Sequence, residues 1–94
     1  MSGDHWLINA TMRRVALKAR GPAISLAKGL LEQIPQFMSA GMSVETAVRE
    51  SLLIAIRSAQ LRARHCVGSE RYALDDFIDA CLKMESQTEH LIKV

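Results

Sequence analysis

His65, Cys66, Cys81 and His90 carry the side-chain chemistry of metal ligands or nucleophiles. Zinc sites are built from close pairs such as Cys-x-x-Cys or His-x-x-x-His, which set two ligands on one turn, and no such pair links these four. If the chain folds back near Gly68, Cys66 lies about two residues from the turn and Cys81 about twelve. At about 1.5 Å per residue their heights differ by roughly 15 Å, beyond disulfide or shared-metal reach. The two cysteines read as small hydrophobes or free thiols, with an intermolecular disulfide at Cys66 left open.

Asp75, Asp76 and Asp79 are the next candidates, for a hard cation or for acid–base work. They lack the alternating Asp-x-Asp-x-Asp-Gly pattern of a calcium loop and have no histidine near them in sequence. Early-turn acids of a helix, favoured by its dipole, explain them more simply. Ser25, Ser39 and Ser43 have no nucleophile-elbow context, and the glycines never cluster into a phosphate cradle. Neither an enzyme nor a cofactor or metal site is expected.

Arg13, Arg14, Lys18 and Arg20, with Lys28 beyond them, could contact phosphates. The net charge of +2 hides an asymmetry: through Arg64 nine Lys/Arg face four Asp/Glu, and from His65 onward three face six. Nucleic-acid binders carry a larger basic excess gathered on one face. A basic half joined to an acidic half suits helix–helix contacts or a polar protein interface instead.

The elements that would position these residues are helices. Alanine occurs twelve times and aromatic residues only four times (Trp6, Phe37, Tyr72, Phe77), a balance that suits closely packed helices and disfavours a β-sandwich. The length allows one domain, and the longest apolar run, Leu52 to Ile56, is far short of a membrane span. With no charged-then-apolar leader at the start, a cytoplasmic location is expected.

Punctuation divides the chain into a basic amphipathic helix within residues 1–21, a short helix and connector within 22–42, and a helical hairpin over 43–94. In the first segment Ile8, Met12, Val15, Ala16 and Ala19 recur at helical spacing from an Asp4 cap to Arg20, and Arg20-Gly21-Pro22 stops it. The second carries Ala23, Ala27, Leu30, Leu31 and Ile34, with Gly29 inside it and an end or kink expected at Pro35. Ser43 caps the third, whose stripe is Val44, Val48, Leu52, Ala55, Ala59 and Ala63. Gly68 is the expected left-handed terminator of that helix and Ser69 the cap of the fourth, which presents Leu74, Phe77, Ile78, Cys81, Met84 or Glu85, Thr88 and Leu91. The expected fold is all-α, with four helical segments.

Apolar residues exceed what these stripes need. Leu52 to Ile56 points in every direction around the third helix, and Trp6, Leu7, Phe37, Met38 and Met42 are further large side chains outside the tidy faces. The expectation is a helix-mediated interface formed by Trp6, Leu7, Phe37, Met38, Leu53 and Ile56, in a homodimer or with another protein.

Phe37-Met38-Ser39-Ala40-Gly41-Met42-Ser43-Val44-Glu45-Thr46-Ala47-Val48, leading into Leu52-Leu53 and Ala55 and continuing through Ser69-Glu70-Arg71 and Ala73-Leu74, resembles small helical proteins common in pseudomonads. It departs from them at Met42 and at Arg49-Glu50-Ser51. Small helical proteins of those bacteria include quorum-sensing anti-activators, which bind a LuxR-type regulator and keep it off DNA. By that analogy the chain is a regulatory protein that sequesters a transcription factor. The alternatives are a nucleic-acid binder using the basic N-terminal helix and a secretion chaperone or adaptor.

Overall fold

A computed structural model describes residues 4–93, with side chains described for 6–92. It holds α1 (Asp4–Arg14), one 3-10 turn (Ala16–Lys18), α2 (Ala23–Ser39), α3 (Val44–Ala63) and α4 (Ser69–Lys93), and no strand among the described residues. The all-α expectation is met. The suggested Asp4 cap depends on a side chain outside those described.

α1 ends six residues earlier than its spacing suggests, and the face it buries is Leu7, Ala10 and Thr11 rather than Ile8 and Met12. At 100° per residue, a helix that continued from Leu7 would bring Arg14 and Lys18 round to the same inward direction. The break after Arg14 avoids that for Lys18, which stays exposed while Val15 enters the core; Arg14, the last residue of α1, is exposed at the end of the helix. The buried Thr11 hydroxyl donates to the Leu7 carbonyl at 2.9 Å, so the one polar side chain on that face is satisfied.

Gly21 (φ 56°) makes the left-handed stop between the 3-10 turn and α2, as expected at Arg20-Gly21-Pro22. α2 then runs through Pro35 to Ser39 instead of ending before it. Pro35 faces solvent, so the hydrogen bond its missing N–H would make to Leu31 is omitted on the outer side of the helix. Continuing past it holds Phe37 and Met38 half-buried on the core. The helix closes in a Schellman motif: Met42 N–H donates to the Phe37 carbonyl and Gly41 N–H to that of Met38, with Gly41 at φ 106°. Gly29, inside the same helix, has open space where a Cβ would point. Gly29→Ala should therefore stabilise the protein by about 0.5–1 kcal/mol, read as a higher urea midpoint at unchanged slope.

α3 is the central element, in contact with α1, α2 and α4. Ser43 caps it as expected, its hydroxyl accepting from Thr46 N–H at 3.2 Å. Val44, Val48, Leu52, Ala55, Ala59 and Ala63 are all buried, the stripe read from the sequence. Three neighbours cover more of its circumference than one could, and this absorbs most of the Leu52–Ile56 surplus within one chain. Ile56 is 7% exposed and belongs to the core, which corrects its assignment to an outward face. It sits only about 40° round from Leu52, whereas Ile54, 40% exposed, sits about 200° away.

α3 and α4 share the largest helix–helix contact. Arg71 at the start of α4 donates to the Ala63 carbonyl at the end of α3 (3.2 Å), and Arg49 near the start of α3 lies 3.3 Å from the Glu85 carboxylate far along α4. The second contact is an ion pair by distance, without hydrogen-bond alignment at either atom. Arg49 Nη1 also donates to the neighbouring Glu50 carboxylate at 3.3 Å. Gly68 is left-handed (φ 63°), but it opens α4, accepting from Tyr72 N–H, rather than closing α3; Ser69 is the first helical residue, not the cap.

Candidate functional site

α1 and the 3-10 turn rest chiefly on α3 and α2 and touch α4 little. The two sides therefore splay and leave a groove of about 500 Å³ along α4. Arg14, Lys18 and Arg20 stand on one wall; Asp76, Asp79, Lys83 and Gln87 stand on the other, over a floor that includes Ala19, Phe77, Ala80 and Met84. A second concavity of about 540 Å³, lined by Trp6, Arg14, Ser86, Gln87, His90 and Leu91, lies beyond it. Arg14 and Gln87 line both, so the two meet where Arg14 Nη1 donates to Gln87 Oε1 at 2.7 Å.

The charges in this groove are not balanced. Arg20 pairs with Asp76 at 2.7 Å and Lys83 with Asp79 at 3.1 Å, the latter an i,i+4 pair along α4. Arg14 has only the neutral Gln87 amide, and Lys18 has no ion pair or hydrogen bond among the described residues. Two cationic side chains thus line the groove without a carboxylate. The contacts of Arg20 and Arg49 also show where the charge asymmetry goes: the basic half of the chain is partly neutralised by the acidic α4.

Of the residues expected at an interface, Trp6 is half-exposed (52%) and lies at the far end of the groove. Leu7, by contrast, is 1% exposed and packs in the core, because it leads the buried face of α1; its assignment to an interface is corrected with that of Ile56. Phe37, Met38 and Leu53 are half-buried and lie outside the groove. Of the suggested phosphate contacts, Arg14, Lys18 and Arg20 come together on one wall, while Arg13 is exposed away from it. Sequence reasoning does not place Lys83, Gln87 or His90 at a groove, and it puts Leu91 on the inward face of the fourth helix, which the structure corrects: Leu91 is exposed. The signal was present, since Asp76, Ala80, Lys83, Gln87 and Leu91 repeat along one face of α4, but only the tertiary fold shows that the face is uncovered.

The other reactive side chains are dispersed. Cys66 and Cys81 are both free, Cys66 half-buried beside Leu26, Leu61 and His65, and Cys81 fully buried. Burial pushes the Cys81 thiol up to about 12, so it is held neutral. Asp75, Asp76 and Asp79 each meet a cation, Arg71, Arg20 and Lys83 respectively. Among the described residues no group of three His, Cys, Asp or Glu is placed to hold a metal ion, and no helix is long and apolar enough to cross a membrane. Comparison with protein-family models, with curated proteins and with solved structures finds no match to the chain.

Proposed function

We propose that this protein is a small regulatory module that acts by binding another protein, in the manner of an anti-activator that occupies a surface its target needs for dimerisation or DNA contact. The observation that carries this reading is the groove beside α4, where half-exposed Trp6 and exposed Leu91 adjoin the unbalanced cations Arg14 and Lys18. An aromatic anchor beside charge is the composition of a protein-binding surface. A transcription regulator of the LuxR type is the target the sequence resemblance favours, and it would place the protein in the cytoplasm. Phosphate binding is less well supported, since Asp76 and Asp79 neutralise Arg20 and Lys83 and leave only Arg14 and Lys18 without a carboxylate, a small basic excess for a nucleic-acid surface. The homodimer suggested by the helix-three run loses its motive, because α1, α2 and α4 bury most of that run.

The test is capture of partners from the native host on immobilised wild-type protein, identified by mass spectrometry, followed by a salt series on the purified pair. A defined protein partner whose affinity changes little between low and moderate salt supports the reading. Capture of nucleic acid alone, with affinity falling steeply as salt rises, overturns it. A second copy of this chain as the only specific occupant would replace a regulatory partner with self-association.

A further inference from the structure

Resting on that protein-binding reading, we propose that the groove between the α1–3-10 segment and α4 receives an acidic amphipathic α-helix of the partner. Three observations converge on that occupant. The first is length. The uncovered stripe of α4 runs from Asp76 to Leu91, which at about 1.5 Å per residue is roughly 22 Å, or about four turns of a docked helix. The second is the apolar content. Trp6 and Leu91 form an open apolar end, and Ala19 and Ala80 are half-buried small residues that let a helix approach the floor between them. A helix that presents apolar side chains at i, i+3 or i+4, and i+7 matches that run.

The third observation is charge, and it selects the sign. Asp76 and Asp79 already neutralise Arg20 and Lys83, which leaves Arg14 and Lys18 for carboxylates of the occupant. The Arg14–Gln87 hydrogen bond spans the junction of the two concavities, between a cation and a neutral amide. A carboxylate arriving there makes a charge-assisted bond in its place, which is the stronger interaction. A basic helix would meet the same two cations and be repelled.

A phage-displayed library of random 16-residue peptides, selected on the intact protein, tests the sign and the place together. The enriched peptides are expected to be acidic and to carry apolar residues at helical spacing. Because Trp6 is the single tryptophan, binding should shift its emission to the blue. Arg14→Glu with Lys18→Glu should weaken these peptides about tenfold or more while helical circular dichroism stays unchanged, since both side chains are exposed. Enrichment of basic or uncharged peptides, equal binding to the double variant, or no enrichment at all overturns the proposal. Binding of phosphatidylserine vesicles or of a DNA duplex through Arg14 and Lys18 in preference to the peptides overturns it too. A host partner that the double variant retains at full affinity removes the groove as the docking place but leaves the protein-binding reading standing.

Discussion

Leu52→Asp should abolish the folded state, while Ile54→Asp two residues later should leave helical circular dichroism and the urea midpoint nearly unchanged. Leu52 is fully buried at the centre of α3, where α1, α2 and α4 converge on one helix. Deleting such a side chain costs about 2–5 kcal/mol, and an unpaired carboxylate left in its place adds several more. A domain of 94 residues has a stability of about 5–14 kcal/mol, so the sum removes most or all of it. Ile54 points about 200° away from Leu52 and is 40% exposed, so its change to Asp should cost about 0.5–1 kcal/mol. Leu53, half-buried between them, should fall between the two. Thermal melts of the three variants at one concentration rank them directly, and an unfolded Ile54→Asp beside a folded Leu52→Asp would mean that α3 is turned the other way in solution.

The same helix shows what periodicity can and cannot reveal. The stripe from Val44 to Ala63 was legible because its positions stay within a narrow arc over five turns and because Ser43 supplies a side-chain cap at the start. Ile56 pairs with Leu53 at i,i+3 as a second stripe and so reads as outward, yet its angle places it beside Leu52. α1 was harder. Leu7 and Thr11 form the buried face, but a hydroxyl residue does not count as apolar in a pattern, so the weaker Ile8 and Met12 repeat stood out instead. The hydroxyl is tolerated because it bonds back to Leu7, a local detail that composition does not carry. Pro35 misled in the opposite way: a rule about local backbone preference was overridden by the burial of Phe37 and Met38 beyond it.

The groove was legible only in parts. Trp6, Arg14, Lys18 and Arg20 stood out by residue type, and the acidic character of the early fourth helix was plain from sequence. That Arg20 would meet Asp76, 56 residues away, and that Arg14 would meet Gln87, 73 away, depends on how the first segment crosses the bundle. That crossing follows from the break after Arg14, which the 3.6-residue pattern of the first segment did not announce.

The largest pH effect should come from Cys81, and its sign is fixed by burial. The thiol lies in the apolar core, where loss of solvation disfavours the thiolate and moves its pKa from 9.0 to about 12. Below pH 9 the thiol is protonated in both folded and unfolded chains, so this group leaves stability independent of pH. Above pH 9 the unfolded chain releases the proton while the folded chain keeps it, and stability falls as pH rises towards the folded value near 12. The slope approaches about 1.4 kcal/mol per pH unit, so wild type should lose roughly 2 kcal/mol between about pH 9.5 and 11.5 through this residue. Cys81→Ala removes the group and leaves every other residue in place, so all other contributions to the pH dependence are common to both proteins and cancel in the comparison. Urea midpoints across that range should converge for the two proteins, with wild type more stable at neutral pH and losing its advantage in alkali. The same burial should shield Cys81 from iodoacetamide at pH 8, giving a single adduct, on Cys66, in the folded protein and two in urea. Stability curves that stay parallel from pH 9 to 11.5, together with two adducts under native conditions, would mean that Cys81 is reached by solvent and that α4 does not seal against the core at that turn.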